Sequence, residues 1–193
     1  MTAIHSVAVF CGARLGNNPA HANAARALGT GLAARGIRLI YGGGRVGMMG
    51  ALADAVLASG GTILGVIPEF LTKLEVVHPG VQNMVVTTSM HARKQHMAEQ
   101  ADAFVVMPGG LGTLDEAFEI ITWRLLGLHD KPVLICDVEG SAGPLNALID
   151  GVIEQGFAGE EARRTFELVS GVDAVLTRLG TVPAGSGSVP DRL

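Results

Sequence analysis

Three short stretches of this chain carry residue types that do chemistry. The first is Pro108-Gly-Gly-Leu-Gly-Thr-Leu-Asp-Glu116, directly after the apolar run Ala103 to Met107. Gly109, Gly110 and Gly112 permit backbone conformations closed to other residues, so successive N–H groups can turn toward one point and form an anion nest. With Thr113 taken as a helix N-cap, the free N–H groups of the first turn and the positive end of the helix dipole face the same place. That arrangement suits a phosphate. The same spacing also describes a tight strand-to-helix turn that binds nothing. Glu116 stands three residues after Thr113, the spacing of a capping box, so its carboxylate is either a cap for the Thr113 N–H or an anion available for catalysis. Spacing leaves both roles open.

The second stretch, Gly42-Gly-Gly-Arg-Val-Gly47, contains the G-x-G-x-x-G pattern of dinucleotide binding. It follows the second predicted strand instead of the first, and no acid stands at the usual distance beyond it. It reads better as a second wall of a phosphate or ribose pocket, with Gly43 and Gly44 contributing, and no cofactor is expected. The third stretch, Ser89-Met-His-Ala-Arg-Lys-Gln-His-Met97, puts Arg93 and Lys94 in the first turns of a helix. Cations there oppose the helix dipole, which makes them candidates for anion contact, although a solvated helix face has the same pattern. His91 and His96 are five apart and do not share a face, so no metal is expected.

The elements around these stretches alternate. Apolar runs at Ser6 to Cys11, Arg38 to Tyr41, Thr62 to Ile67, Asn83 to Thr87, Ala103 to Met107, Pro132 to Cys136 and Phe166 to Val169 predict strands. Between them, helices are predicted from Asn18 (N-cap) and Pro19 to about Arg35, from Met48 to Ser59, Met90 to Gln100, Leu114 to Leu126, Pro144 to Gln155 and Val172 to Leu179. Short apolar strands without alternation, separated by helices, indicate an α/β fold: one doubly wound, mostly parallel sheet in a Rossmann-like three-layer sandwich. Ligands of such folds sit beyond the carboxyl ends of the strands, where the loops at 11–18, 42–47, 87–90 and 107–113 should converge.

Composition narrows the partners. The 193 residues suit one domain, placed at 1–181, with 182–193 (VPAGSGSVPDRL) expected to be a flexible C-terminal tail. A net charge of −4 offers no global field for polyanions, and only 4% of residues are aromatic, which leaves few stacking platforms, so no nucleic-acid partner is expected. Apolar segments are short and broken, which argues against a membrane partner. With two cysteines, one in each half, and no signal-peptide pattern, the expected address is a reducing cytoplasm.

Taken together, YGGGRVGMMG at 41–50, SMHARK at 89–94, MPGGLGTLDE at 107–116 and ITWRLLGLHDKPV at 121–133 closely resemble the LONELY GUY family of cytokinin-activating nucleoside 5′-monophosphate phosphoribohydrolases. The similarity runs from about Val7 to Val169. It implies a homodimer that hydrolyses a plain or N6-modified adenosine 5′-monophosphate to free base and ribose 5-phosphate. It also implies a catalytic pair at Arg93 and Glu116, with Lys94, the loop Gly109-Gly110-Leu111-Gly112-Thr113, Thr122 and an upstream acid aligning best with Glu75 forming the rest of the site. Where the family commonly has serine after Cys11-Gly12, this chain has Ala13, which cannot donate a hydroxyl. Members have carried the label lysine decarboxylase, but a pyridoxal enzyme needs a Schiff-base lysine, and Lys73, Lys94 and Lys131 stand in no pyridoxal motif. The rival from another class is a carrier that binds a nucleotide or cofactor on the same fold without cleaving it.

Overall fold

Strands this apolar on both faces need cover on both faces, and the chain supplies it with a helix after nearly every strand. The computed structural model describes residues 3–73 and 77–187. Its strands are β1 (Ser6–Phe10), β2 (Arg38–Tyr41), β3 (Ile63–Pro68), β4 (Met84–Thr87), β5 (Ala103–Val106), β6 (Val133–Asp137) and β7 (Glu167–Ser170). Its helices are α1 (Pro19–Ala34), α2 (Gly47–Ala58), α3 (Met90–Gln100), α4 (Leu111–Leu125), α5 (Gly143–Glu154) and α6 (Gly171–Leu179). The strands form one sheet in the order β4-β3-β2-β1-β5-β6-β7, with every pairing parallel.

Alternate residues along each strand feed the two cores. Val7, Val9, Leu39 and Tyr41 pack with Leu28 and Leu32 of α1, Met48 and Leu52 of α2 and Val175 of α6. Ala8, Phe10, Ile40 and Val66 pack with Met97 of α3, Ile120 and Trp123 of α4 and Ile149 of α5. The result is the doubly wound, three-layer sandwich that the sequence leads one to expect. No helix among the described residues is long and apolar enough to cross a membrane.

Two local expectations need correcting. Helix α4 begins at Leu111, three residues early: Gly110 is its N-cap with extended backbone and no side-chain cap bond, and Leu114 N–H already donates to Gly110 O at 3.1 Å. Thr113 is therefore not the N-cap, and Glu116 lies in the second helical turn, out of capping-box register. Burial of Thr113, Glu116 and Ala117 against the sheet outweighs the poor helix propensity of Gly112. The second concerns the tail expected at 182–193: residues 182–187 are docked, and 188–193 lie outside the described residues. Val182 and Ala184 pack on the core, Asp130 N–H donates to Ser186 O at 3.1 Å, and the Asp130 carboxylate accepts from Ser186 N–H. Composition could not show that Asp130 offers this segment both a donor and an acceptor.

The order of strands decides where a ligand can go. β1 lies between β2 and β5, and the chain leaves these strands in opposite directions, opening a crevice beyond their carboxyl ends. One residue joins the loops that line it. Gly12 N–H donates to Pro108 O at 3.1 Å, and Gly12 O accepts from Met48 N–H at 3.0 Å, capping α2, whose own N-cap residue, Val46, makes no side-chain bond. Asn18 caps α1 by accepting from Ala20 N–H at 2.9 Å and donates through Nδ2 to Glu139 Oε2 at 2.7 Å, so the loop after β1 is also tied to the loop after β6.

Candidate functional site

The crevice is a cleft of about 630 Å³. Its walls come from four connections: Cys11 to Gly16 after β1, Met48 and Met49 at the start of α2, Pro108 to Gly110, Gly112, Thr113 and Glu116 around the start of α4, and Ser141 after β6. Arg93 of α3 and His21 of α1 complete it. Such a volume suits a small-molecule ligand.

Arg93 and Glu116 meet at its base. Ser89 caps α3 by accepting from Ala92 N–H at 3.0 Å, which starts the helix so that Arg93 points back over the end of the sheet. There Arg93 Nε–H donates to Val66 O at 3.1 Å, and Nη1 lies 3.4 Å from Glu116 Oε1. Both side chains are more than nine-tenths buried. Burying two charges costs several kcal/mol for each ion, and their attraction repays this only in good geometry. A buried leucine, by contrast, contributes about 2 kcal/mol without that cost. A pair at this position, opening onto a cleft, therefore serves chemistry better than it serves stability.

Among the residues expected at the site, Gly109, Gly110, Gly112 and Thr113 line the cleft with Arg93 and Glu116. The Leu111 side chain is 86% exposed and does not line it. Lys94 faces α4 instead, its Nζ 3.1 Å from Asp115 Oδ2 and 3.0 Å from Glu119 Oε2. Burial alone would lower the Lys94 pKa, but its bonds to Glu119 and Asp115 more than reverse that. Thr122 is exposed on α4 away from the cleft. Gly43 and Gly44 are not in its lining either: Gly43 O accepts from His78 N–H at 3.0 Å and Gly44 forms an antiparallel bridge with Val77. Glu75 lies outside the described residues. Neither Lys94 nor Lys131 lines the cleft, and Lys131 is buried with Nζ donating to Ala98 O at 2.8 Å.

Sequence reasoning did not single out Cys11, Arg14, His21, Met48, Met49 or Ser141 as lining residues. The available signal was positional, since each sits in or near a loop at a carboxyl strand end. Cys11 is buried in the cleft wall, and its thiol is pushed far up, first by desolvation and then by the nearby Glu116 carboxylate. Cys136 is pushed up to about 11 by burial and by Asp137.

Comparison with known proteins adds to this geometry. A family model described as "Possible lysine decarboxylase" matches residues 49–179. A probable cytokinin riboside 5′-monophosphate phosphoribohydrolase of Oryza sativa subsp. japonica is 46% identical over 158 residues, covering 82% of this chain and 71% of that protein. A cytokinin riboside 5′-monophosphate phosphoribohydrolase of Rhodococcoides fascians is 46% identical over 153 residues, covering 79% and 77% respectively. Among solved structures, the molybdenum cofactor binding protein of Rippkaea orientalis superposes with a TM-score of 0.68 at 20% identity, over 93% of this chain and 96% of that one. That likeness is one of fold.

The ion pair makes a stability prediction. Arg93→Met, which leaves the Glu116 carboxylate buried without its guanidinium, should lower unfolding free energy by about 3 kcal/mol in urea titrations. The double variant Arg93→Met/Glu116→Gln should lower it by less, and equal losses would show that the buried charge is not the cause. The thiols make another: with both pKa values raised, the native protein at pH 8 should react with an aromatic disulfide reagent far more slowly than the denatured chain. Two thiols should titrate on unfolding, and rapid labelling of native protein would contradict the burial.

Proposed function

The chain belongs to the cytokinin riboside 5′-monophosphate phosphoribohydrolase family, and from that premise we propose that it hydrolyses the N-glycosidic bond of plain or N6-modified adenosine 5′-monophosphates. The observation that carries this reading is the buried Arg93–Glu116 pair in a cleft that is also lined by the glycine-rich start of α4.

The 5′-phosphate binds at the start of α4, where Gly109 to Thr113 present N–H groups and the positive end of the helix dipole. This anchor is remote from the bond that breaks, so its binding energy serves orientation. As the glycosidic bond lengthens, positive charge develops on the ribose, and the Glu116 carboxylate stabilises it while positioning a water. The water oxygen bonds to the anomeric carbon, the bonding electrons leave with the base nitrogen, and a proton from the water ends on the departing base. Arg93 holds Glu116 in place and offsets negative charge building on the base. The products are free base and ribose 5-phosphate. The 46% identity to proteins named as phosphoribohydrolases supports hydrolysis over a carrier role.

The protein acts as a homodimer in the cytoplasm. What supports the dimer is an apolar stripe on α4: Leu111, Phe118, Leu125 and Leu126 fall on one side of the helix, with Leu111 at 86% and Leu126 at 62% exposure. A second copy is the occupant that would cover it.

Incubation with AMP and with isopentenyladenosine monophosphate should release base and ribose 5-phosphate, while adenosine should turn over far more slowly. Glu116→Gln should cut kcat by about 10³-fold with the fold retained. Equal rates with adenosine and AMP would remove the phosphate anchor from the account, and no base from either nucleotide would favour the carrier. Light scattering after gel filtration should give twice the chain mass, and Leu126→Asp should reduce it to one chain. A monomeric parent protein would refute the dimer.

A further inference from the structure

Gly43 and Gly44 of the segment Gly42-Gly-Gly-Arg-Val-Gly47 do not line the cleft, yet its first glycine lies against Arg93. The glycines of this loop are held by different constraints. Gly43 and Gly47 have φ of +80° and +64°, which L side chains rarely adopt. Gly42 is not among the residues of positive φ, so its backbone would accept an alanine. What forbids a side chain there is the catalytic arginine. A Cβ at Gly42 would overlap Arg93 Nη2, and would lie 3.3 Å from Arg93 Cζ and 3.1 Å from Met49 Sδ.

An arginine tip is ordinarily free to step aside, but this one is held on its other edges. Nε–H is committed to Val66 O at 3.1 Å, Nη1 lies 3.4 Å from Glu116 Oε1 and 3.9 Å from Met90 Sδ, and the side chain is only 8% exposed. β2 ends at Tyr41 while β3 continues to Pro68, and the guanidinium fits where β2 stops. We propose that Gly42 is a positioning residue whose absent side chain is the socket for the Arg93 guanidinium, so that a single methyl group there displaces the catalytic cation while the fold persists. The inference rests on the catalytic role of Arg93 given above, but the geometry it asserts can be read without turnover.

Gly42→Ala is expected to keep the circular dichroism spectrum and urea midpoint of the parent protein while kcat for AMP falls about 100-fold, the usual cost of misplacing a catalytic group by an ångström. A merely structural glycine would act independently of the residue at 93. In an Arg93→Lys background, whose shorter side chain leaves the socket empty, adding Gly42→Ala should change kcat by less than about threefold. The arm that needs no activity is the ¹H–¹⁵N resonance of Arg93 Nε: its bond to Val66 should protect it from exchange in the parent protein, and Gly42→Ala should shift it and remove that protection. This arm decides the matter if the parent protein releases no base or if Arg93→Lys is too slow to measure, and so separates failure of the socket from failure of the hydrolase reading. The proposal is overturned by an unmoved Arg93 Nε resonance, by equal kcat losses in both backgrounds, or by unfolding of Gly42→Ala that Arg93→Lys does not relieve.

Discussion

The constraint on which the site depends is the desolvation of one ion pair. Arg93 and Glu116 come from different helices, α3 and α4, and both are nearly out of water where they meet. An isolated charge in that position would cost several kcal/mol, so each partner offsets the burial of the other and each helix must keep its start fixed to within the reach of an ion pair. The Ser89 cap of α3, the early start of α4 at Leu111 and the Val66 carbonyl that accepts from Arg93 all serve that requirement. Hydrophobic burial on both faces of the sheet supplies the stability that an arrangement of this kind spends.

Much of the scaffold was legible in the residues, because apolar runs of strand length and the punctuation between them are local signals. Asn18-Pro19, Arg38 to Tyr41 and Met90 to Gln100 mark their elements directly. The start of α4 was not legible in the same way. Gly110 and Gly112 look like loop, and only burial of Thr113, Glu116 and Ala117 against the sheet turns them into a helix. With Thr113 displaced from the cap, the capping explanation of Glu116 falls, a result that spacing alone could not reach.

The candidate site was legible where chemistry requires a particular residue type and obscure where it requires only a surface. Arg93, Glu116 and the glycine loop before α4 announce themselves. Arg14, His21 and Ser141 do not, since they line the cleft through the convergence of loops distant in sequence. Gly43 and Gly44 lie outside the cleft lining, and their backbone is engaged by the segment at Val77 and His78. Lys94 similarly stands beside Arg93 in sequence but turns to the acids of α4. Adjacent positions on a helix point about 100° apart, so neighbours in a motif need not share a cavity.

The placement of β1 between β2 and β5 also governs when the protein can exist. Val7 pairs with Leu39 on one side but with Ala103 on the other. A nascent chain therefore holds its first strand half-paired, with an open apolar edge, until more than half the polypeptide has been made. An N-terminal portion ending before β5 lacks the wall that Pro108 to Gly110, Gly112, Thr113, Glu116 and Ser141 supply, so the crevice is incomplete without that late pairing. Such a topology leaves a strand edge open while it waits and defers the cleft until the chain has been made as far as Ser141.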